Sequence, residues 1–415
     1  MSEVNKKGKL AKEASYILGG KTTNEKNQAL QLIAEQLLKD EAVILEANQQ
    51  DIISGREVGL TEAILDRILL DKARIKGISD AVLDLVELAD PIGEVFETVK
   101  KDNNLLIEKT RVPIGVIGMI YEARPNVTID AATLSLKTGN SVVLRGSSSA
   151  IHSNKALVTS LHKALEKSNI PKNAVQLIED ISREAAKEFF KLNAYLDVLI
   201  PRGSASLIKV VLEEATVPVI ETGAGNCHVY LDESAEEKMS IDIVKNAKLQ
   251  RPSVCNAIET VLIHPESYER FGENLLNELV AENVILHADE QIHSKFAESE
   301  LATEEDWYKE YLGNEVSIKV VPDYIHAIEH INQYGTGHSE AIVTENESHA
   351  NAFLQGVDAS SVYHNASTRF TDGAEFGYGA EMGISTQKTH ARGPMGLQAL
   401  TSSKFIIKGQ GQIRH

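Results

Sequence analysis

The run Ile114-Gly-Val-Ile-Gly-Met-Ile120 is apolar along its length and shows no alternation with polar residues. A strand of this kind is buried on both faces, as in parallel sheets that carry helices on each side. Similar short apolar runs follow at Ser141–Leu144, Val175–Ile178, Val198–Ile200 and Val217–Ile220, separated by amphipathic stretches at 127–137, 153–167, 182–192 and 204–214. The alternation predicts a doubly wound α/β domain with a parallel sheet, which would bind ligands at the carboxyl ends of its strands.

The regions on either side of this domain follow other patterns. Before it, Thr22 and Glu25 fit a capping box at the start of a helix, and a second amphipathic pattern predicts one helix from Thr61 to about Leu88. Residues 94–112 alternate as a β-hairpin does, with its turn at Asp102-Asn-Asn. After it, further strands and helices are predicted from His228–Leu231 to about His364, and a last strand at Lys404–Lys408.

The composition argues against several classes of function. The 415 residues include 42 Lys and Arg and 60 Asp and Glu, which gives a formal net charge of −18. A chain this acidic is repelled by phosphate backbones and by anionic membrane surfaces. Its longest apolar run is far shorter than the roughly 20 residues of a spanning helix, and two cysteines are too few for a disulfide framework. We therefore expect a cytoplasmic protein that binds neither nucleic acid nor membranes.

Cys255 is the first candidate for a catalytic residue. It lies in a connecting segment between a predicted helix at about 235–249 and a predicted strand at Thr260–His264. The nearby Arg251 would favour the thiolate, which is the nucleophilic form of cysteine. Cys227 enters a strand and is predicted to be structural.

Glu221 is a second candidate, because it ends an apolar strand and would point into the ligand crevice of a parallel sheet. A solvated carboxylate at the rim of the sheet explains its position equally well. Ile200-Pro-Arg-Gly-Ser204 leads from a strand into a helix, and its small residues would let backbone N–H groups approach a phosphate. Such turns also occur where Gly and Ser serve only as helix caps.

Two motif matches are set aside. Gly377-Tyr-Gly-Ala-Glu-Met-Gly383 has the wrong spacing for a dinucleotide fingerprint and follows no predicted strand. His326-Ala-Ile-Glu-His330 has the spacing of a zinc protease motif. We expect Ile325, Ile328 and Ile331 to mark the buried face of that helix, which would leave both histidines in solvent. No metal site is predicted.

Five motifs carry a resemblance to a known family through their order and separations. The sequence resembles the aldehyde dehydrogenase superfamily over essentially its whole length, and within it the branch that reduces an acyl phosphate of glutamate in proline biosynthesis. The motifs are Val112–Asn126, Ile200–Ser204, Glu221–His228, Ala366–Gly373 and Gly383–Pro394.

The resemblance implies an aldehyde dehydrogenase-like α/β fold of three parts. The first is a doubly wound parallel-sheet cofactor domain formed by residues 1–98 and 113–224. The second is an α/β catalytic domain at 225–385. The third is a small β oligomerisation element, in which the hairpin at 99–112 joins the C-terminal residues 386–415. A homo-oligomer is therefore expected.

The resemblance also implies roles for individual residues. Cys255 falls at the family's nucleophile, and Asn126 falls at the position of an oxyanion donor. Glu221 matches a residue that activates water for thioester hydrolysis, a step that reduction of an acyl phosphate does not need, so its role stays open.

The resemblance places the cofactor-binding residues as well. Arg145 takes the place of a cofactor-binding lysine, and Glu310 matches a glutamate that holds a cofactor ribose. Gly203 and Ser204 are expected to contact a cofactor phosphate because they lie at the start of a helix. Ser148 stands where NAD-preferring relatives often carry an acidic residue. A hydroxyl there does not repel a 2′-phosphate, so NADPH or NADP is the expected cofactor.

The implied reaction is the NADPH-dependent reduction of L-glutamyl 5-phosphate to L-glutamate 5-semialdehyde and phosphate through a Cys255 thioester. Because both substrate and chain are anionic, positive side chains must converge on the substrate, and the candidates are Arg124, Arg251, Arg369, Lys388 and Arg392. A hydrolytic aldehyde dehydrogenase that uses Glu221, and a scaffold without activity, are the alternatives. Functional coupling to glutamate 5-kinase is a further expectation.

Overall fold

The computed structural model describes residues 1–414, with the side chain of Ala63 outside the description. The chain divides into two compact units. The first unit contains Met1–Thr222, Gly377–Gly383 and the residues from Met395 on, and the second contains Gly223–Phe376 and Ile384–Pro394. His415, the last residue of the predicted oligomerisation element, lies outside the described residues.

The first unit begins with helices, most of which start at a side chain that accepts a hydrogen bond from the first turn. Thr22 and Glu25 form the predicted capping box, with each side chain accepting from the other residue's backbone N–H. The helices of this unit are α1 (Glu3–Leu18), α2 (Thr23–Lys39), α3 (Glu41–Glu57), α4 (Glu62–Ile68), α5 (Lys72–Glu87), α6 (Asn126–Lys137), α7 (Ile151–Leu165), α8 (Arg183–Phe190) and α9 (Ala205–Glu214).

The prediction of one helix from Thr61 to about Leu88 is wrong, because α4 and α5 are separate. Leu69 ends α4 in an extended conformation, and the Asp71 side chain accepts a hydrogen bond from Arg74 N–H at the start of α5. Apolar residues recur at helical spacing through this break. The apolar periodicity alone therefore could not reveal the cap at Asp71 that separates the two helices.

The strands of the first unit form its sheet and its hairpin, and they are β1 (Val95–Lys100), β2 (Leu106–Pro113), β3 (Val116–Tyr121), β4 (Ser141–Gly146), β5 (Val175–Leu177) and β6 (Val198–Arg202). The order β5-β4-β3-β6 makes a four-stranded sheet in which every pair is parallel. This arrangement confirms the predicted parallel sheet.

The run Val217–Ile220, predicted as a further strand of this sheet, makes only an isolated bridge between Val219 and Leu199. Leu199 N–H donates to the carbonyl of Pro218, and Ile220 N–H donates back to Leu199. Pro218 has no N–H to continue the ladder, which explains why the pairing stops.

The second unit is built on a seven-stranded sheet of order β10-β9-β11-β8-β7-β12-β13, with all neighbours parallel. Its strands are β7 (Cys227–Leu231), β8 (Ile258–Ile263), β9 (Ile285–Ala288), β10 (Glu300–Leu301), β11 (Glu315–Val320), β12 (Ser339–Val343) and β13 (Ser361–His364). Its helices are α10 (Glu237–Leu249), α11 (Pro265–Ser267), α12 (Glu273–Ala281), α13 (Glu290–His293), α14 (Tyr324–Tyr334) and α15 (Glu347–Gly356). The predicted second series of strands and helices is confirmed.

The remaining strands are β14 (Ile384–Ser385) and β15 (Gly393–Pro394), which pair in the second unit, and β16 (Thr401–Lys408). β16 pairs antiparallel with β2, and β2 pairs antiparallel with β1, so the predicted hairpin and the C-terminal strand form one three-stranded sheet. Its role in oligomerisation stays a prediction. Within residues 1–414, each helix is too short or too polar to span a bilayer.

Candidate active site

Arg145 and Ser148 lie at the carboxyl edge of the four-stranded sheet, where ligands of doubly wound domains bind. The Arg145 guanidinium donates through Nη2 to the carbonyls of Ser182 and Ile181, at 2.8 and 3.2 Å. Its Nε is buried and has no hydrogen-bond partner. Ser148 opens the short 3₁₀ helix after β4 and is exposed.

The turn from β6 into α9 contains Gly203 and Ser204. Ser204 caps α9, and its backbone N–H donates to Glu122 Oε2 at 2.8 Å. A Cβ at Gly203 would lie 2.5 Å from the same oxygen. A carboxylate therefore already occupies the start of this helix, where an anion is favoured. Sequence analysis missed Glu122, although it directly follows β3 as Glu221 follows its apolar run.

Asn126 is the first residue of α6, and its Nδ2 donates to Asp130 Oδ2 at 2.9 Å. The two lie four residues apart and share a helix face. Burial raises the pKa of Asp130 to about 6, although the positive charge of Arg202 opposes that shift. Arg202 in turn donates through Nη1 to the Met382 carbonyl at 2.7 Å. Asp130 and Arg202 are functional candidates that sequence analysis missed.

Arg124 and Glu221 lie in loops of the same unit. Both side chains are half-buried and have interaction partners. Arg124 precedes α6, and Glu221 follows the Val219 bridge.

Cys255 lies in the loop between α10 and β8, at the amino edge of the seven-stranded sheet. Its side chain is half-buried, whereas Cys227 is fully buried, as expected of a structural cysteine. The Cys255 carbonyl accepts a hydrogen bond from Cys227 Sγ at 3.1 Å. A Cβ at Gly225 would lie 1.5 Å from that carbonyl oxygen, so only glycine allows the two backbones to approach this closely.

Glu310 and Arg369 lie in other loops of the second unit. Glu310 Oε1 accepts from the Gly225 N–H at 2.7 Å. Arg369 donates through Nε to Gln250 at 2.9 Å, and it interacts electrostatically with both Cys255 and Arg251. The structure thus brings two of the five predicted basic residues, Arg251 and Arg369, together with the candidate nucleophile.

A buried ion pair joins the two ends of the Cys255 loop. Lys248 at the end of α10 donates to Glu259 Oε2 at 2.6 Å and to the Ile258 carbonyl at 2.8 Å, both in β8. Both charged side chains are fully buried. Burial raises the pKa of Glu259 to about 7 and lowers the pKa of Lys248. Sequence analysis did not predict this pair.

Lys388 and Arg392 are brought together by one carboxylate. Asp358 accepts from Lys388 Nζ and from Arg392 Nη2, the latter at 2.8 Å. All three residues line a cavity of the second unit.

The expectation that both histidines of His326-Ala-Ile-Glu-His330 face solvent is wrong for His330. His326 is exposed and bonds to Asp323, but His330 is buried against the rings of Trp307 and Tyr334. Burial lowers the pKa of His330 to about 2. Ile331 is buried and Ile328 packs against the core, as expected, but Ile325 is half exposed, and the buried face extends to Ala327 and His330.

Comparison with known proteins agrees with the resemblance seen in the sequence. The aldehyde dehydrogenase family model matches residues 4–293. The gamma-glutamyl phosphate reductases of Oceanobacillus iheyensis and Bacillus subtilis are each 60% identical to the chain over 414 residues and cover 100% of both chains.

Solved structures agree with this result. The crystal structure of gamma-glutamyl phosphate reductase from Thermotoga maritima superposes with a TM-score of 0.98 at 46% identity, over all of both chains. An acetylating aldehyde dehydrogenase from Geobacillus thermoglucosidasius has a TM-score of 0.70 at 17% identity, over 100% of this chain and 98% of its own, and shows the fold alone. The predicted aldehyde dehydrogenase-like fold is confirmed.

Proposed function

This chain belongs to the aldehyde dehydrogenase family and, within it, to the gamma-glutamyl phosphate reductases, and we propose that it reduces L-glutamyl 5-phosphate to L-glutamate 5-semialdehyde and phosphate for proline biosynthesis. The observation that carries the proposal is the setting of Cys255. Its thiol is half-buried at a sheet edge, its backbone is held against Gly225, and the guanidinium of Arg369 interacts with it.

The reaction begins with the Cys255 thiolate, which the positive charges of Arg369 and Arg251 favour. The sulfur attacks the acyl carbon, the bond from that carbon to the phosphate oxygen breaks, and phosphate leaves with the electron pair. The resulting thioester accepts a hydride where a carboxylate would not. After hydride addition the carbon–sulfur bond breaks, which releases the semialdehyde and returns the thiolate. The departed phosphate takes up the proton that balances the reaction.

Asn126 is proposed to donate a hydrogen bond to the oxyanion that forms at each addition. One such donor contributes about 3 kcal/mol to lowering a barrier. Its Nδ2 carries two N–H groups, and the bond to Asp130 uses only one of them. Asp130 thereby restricts rotation of the carboxamide.

Members of the family use nicotinamide cofactors, and NADPH is the proposed one. When bound, the nicotinamide supplies the hydride. Arg145 fits a 2′-phosphate, because its buried Nε lacks a partner and Ser148 beside it is exposed. Gly203 and Ser204 are proposed to approach a phosphate, which would replace the carboxylate of Glu122 at the Ser204 N–H. Glu310 is proposed to hold a ribose, which requires it to release Gly225.

A hydrolytic aldehyde dehydrogenase remains the alternative, with Glu221 activating water. The reductase is assayed in reverse, as oxidation of the semialdehyde with NADP. We expect NADPH formation to depend on added phosphate, and phosphate-independent turnover would favour the hydrolytic reaction.

The same assay tests the nucleophile. Cys255→Ala is expected to lower turnover by at least a thousandfold and to leave NADPH binding, followed by cofactor fluorescence, unchanged. Cys227→Ala is the control and is expected to keep most of the activity. Retained turnover in Cys255→Ala would refute the thioester.

We propose further that the chain forms a homo-oligomer, is functionally coupled to glutamate 5-kinase and is located in the cytoplasm.

A further inference from the structure

The second unit contains a cavity of about 400 Å³ whose walls carry both signs of charge. It lies beside the loop that precedes β12 and beside the segment between β14 and β15. Its polar lining is Asn332, Thr336, Glu340, Asp358, Thr386, Lys388 and Arg392.

Glu340 gives the cavity an unsatisfied hydrogen-bond acceptor. Its carboxylate is fully buried, and Oε2 accepts from the backbone N–H of His228 at 2.6 Å and lies 2.9 Å from His228 Nδ1. The other oxygen, Oε1, is buried without a hydrogen-bond partner. Burial raises the pKa of Glu340, because the charged form lacks water and a donor at Oε1. Leaving a buried acceptor unpaired is costly, so a donor that enters the cavity would be bound strongly and a positive one would restore the charged carboxylate. An ammonium group, with three N–H donors and a positive charge, meets both needs.

Lys388 and Arg392 give the cavity a positive side. Asp358 holds both through hydrogen bonds, so their positions are set before a ligand binds. A lysine and an arginine side by side fit a carboxylate, which accepts from both.

The balance of charges indicates which kind of ligand fits the cavity. Lys388 and Arg392 match Glu340 and Asp358 in number, so a ligand of zero net charge with separated ends suits the cavity. The head of an α-amino acid, with one ammonium and one carboxylate, is such a ligand. A phosphate would meet two carboxylates and would leave Glu340 Oε1 without a donor.

The walls of the cavity are attached to the Cys255 loop through contacts within the second unit. Thr336 Oγ1 accepts from Asn226 N–H at 3.0 Å, and the next residue along the chain, Cys227, bonds to the Cys255 carbonyl. Thr386 packs against Gly223, and Gly225 packs against Cys255. A short aliphatic chain separates the head of a glutamyl substrate from its acyl carbon, which suits a head site in this neighbourhood.

We propose that this cavity binds the α-amino-acid head of the glutamyl substrate, with Glu340 accepting from the α-ammonium and with Lys388 and Arg392 donating to the α-carboxylate. The inference rests on the proposed function. It makes these three residues the determinants of specificity for glutamyl over other acyl groups.

The first test compares substrates in the phosphate-dependent oxidation. The probes are L-glutamate 5-semialdehyde, 5-oxopentanoate, which lacks the α-amino group, and 4-aminobutanal, which lacks the α-carboxylate. Glu340→Gln should lower kcat/KM for the semialdehyde by about tenfold to a hundredfold and leave kcat/KM for 5-oxopentanoate nearly unchanged. Equal losses on both substrates, or no loss on either, would overturn the proposal.

The second test concerns the positive side and covers the case in which Glu340→Gln does not fold. Arg392→Met and Lys388→Met should each raise KM for the semialdehyde about tenfold or more and leave KM for 4-aminobutanal and for phosphate unchanged. A rise confined to the KM for phosphate would make the cavity a phosphate site and overturn the proposal, as would normal KM values throughout.

Lys238→Met is the matched control, since Lys238 is an exposed lysine of the same unit that pairs with Asp242 as Lys388 pairs with Asp358. Wild-type turnover that does not depend on phosphate would refute the proposed function itself, so the two failures are distinguishable.

Discussion

Asp130 shows how one side chain can tie stability to pH in the first unit. The fold favours its neutral form, since burial raises its pKa from 3.8 to about 6. As the pH rises between these values, the unfolded chain loses this proton more readily than the folded chain, and the free energy of unfolding falls. The contribution of the neutral carboxyl is thus present at acid pH and lost above about pH 6.

Asp130→Asn imitates the neutral carboxyl, so we expect the variant to gain stability relative to the wild type between pH 5 and pH 8. The gain should be about 1–2 kcal/mol, allowing for screening of a group that is not fully buried. Thermal unfolding midpoints at the two pH values measure it. Asp84→Asn, at an exposed position, is the control, and its midpoint should differ from that of the wild type by the same amount at the two pH values. A midpoint difference for Asp130→Asn that does not change with pH would contradict the prediction.

The sequence could identify the site residues that lie in or next to a recognisable motif. Cys255 and Glu221 stood out because each adjoins a strand end in the chain, and their assigned roles stay predictions. Glu340 could not be identified from the sequence because its partner His228 lies 112 residues away, on the neighbouring strand β7. Asp130 was detectable in principle, as it lies one helical turn after Asn126.

Between secondary-structure elements, the pair Lys248–Glu259 holds the Cys255 loop at its two ends, where α10 stops and β8 starts. Lys248→Met would leave a buried carboxylate unpaired, a loss of typically 3–5 kcal/mol, reduced here because the raised pKa of Glu259 lets that carboxyl take up a proton. We expect a lower melting temperature together with reduced turnover.

Lys245→Met on the same helix is the comparison, because Lys245 makes only partly exposed pairs with Glu278 and Glu282. Equal melting temperatures for the two variants would show that the buried pair does not stabilise the loop.

The boundaries of helices and strands followed from the sequence where apolar spacing and capping residues agreed. α6 to α9 and β3 to β6 lie within a few residues of their predictions. The spacing failed where it continued through a break, at Leu69–Asp71, and in α14, where His330 lies on the buried face and Ile325 does not. In each case a tertiary contact or a local cap, which no periodicity contains, determined the outcome.

For the whole molecule, the three-stranded sheet offers the surface most suited to self-association. The exposed Val99 and Ile407 lie opposite the half-buried Ile107 across β1, β2 and β16. Phe96 and Phe405 are also exposed, the latter by 60%. Exposed apolar groups concentrated on one small sheet mark a site of protein contact, and this supports the predicted oligomerisation element.

The double variant Phe405→Asp with Ile407→Asp is therefore expected to sediment as a smaller species than the wild type in analytical ultracentrifugation, while its helical circular dichroism is unchanged. Val43→Asp with Ile53→Asp, on exposed apolar residues of α3, controls for the loss of surface hydrophobicity. An unaltered sedimentation coefficient for the first variant, or an equal decrease for both, would rule out this sheet as the interface.

The parallel sheet of the first unit could be predicted, because buried strands without polar alternation require helices on both faces. The division of the chain, in which residues 384–394 belong to the second unit although residues on both sides belong to the first, could not. Local patterns in the sequence carry no information on which distant segment such a short stretch will contact.

Pro218 has a consequence for solubility. Free peptide groups at the edge strand β6 would allow strands from other copies of the chain to pair with the sheet, which would start aggregation. The segment through Pro218 covers part of that edge, because the Pro218 carbonyl and the Ile220 N–H both bond to Leu199. The peptide groups of Leu199 are thus occupied within the chain, and they are not open to pairing with a strand of another copy.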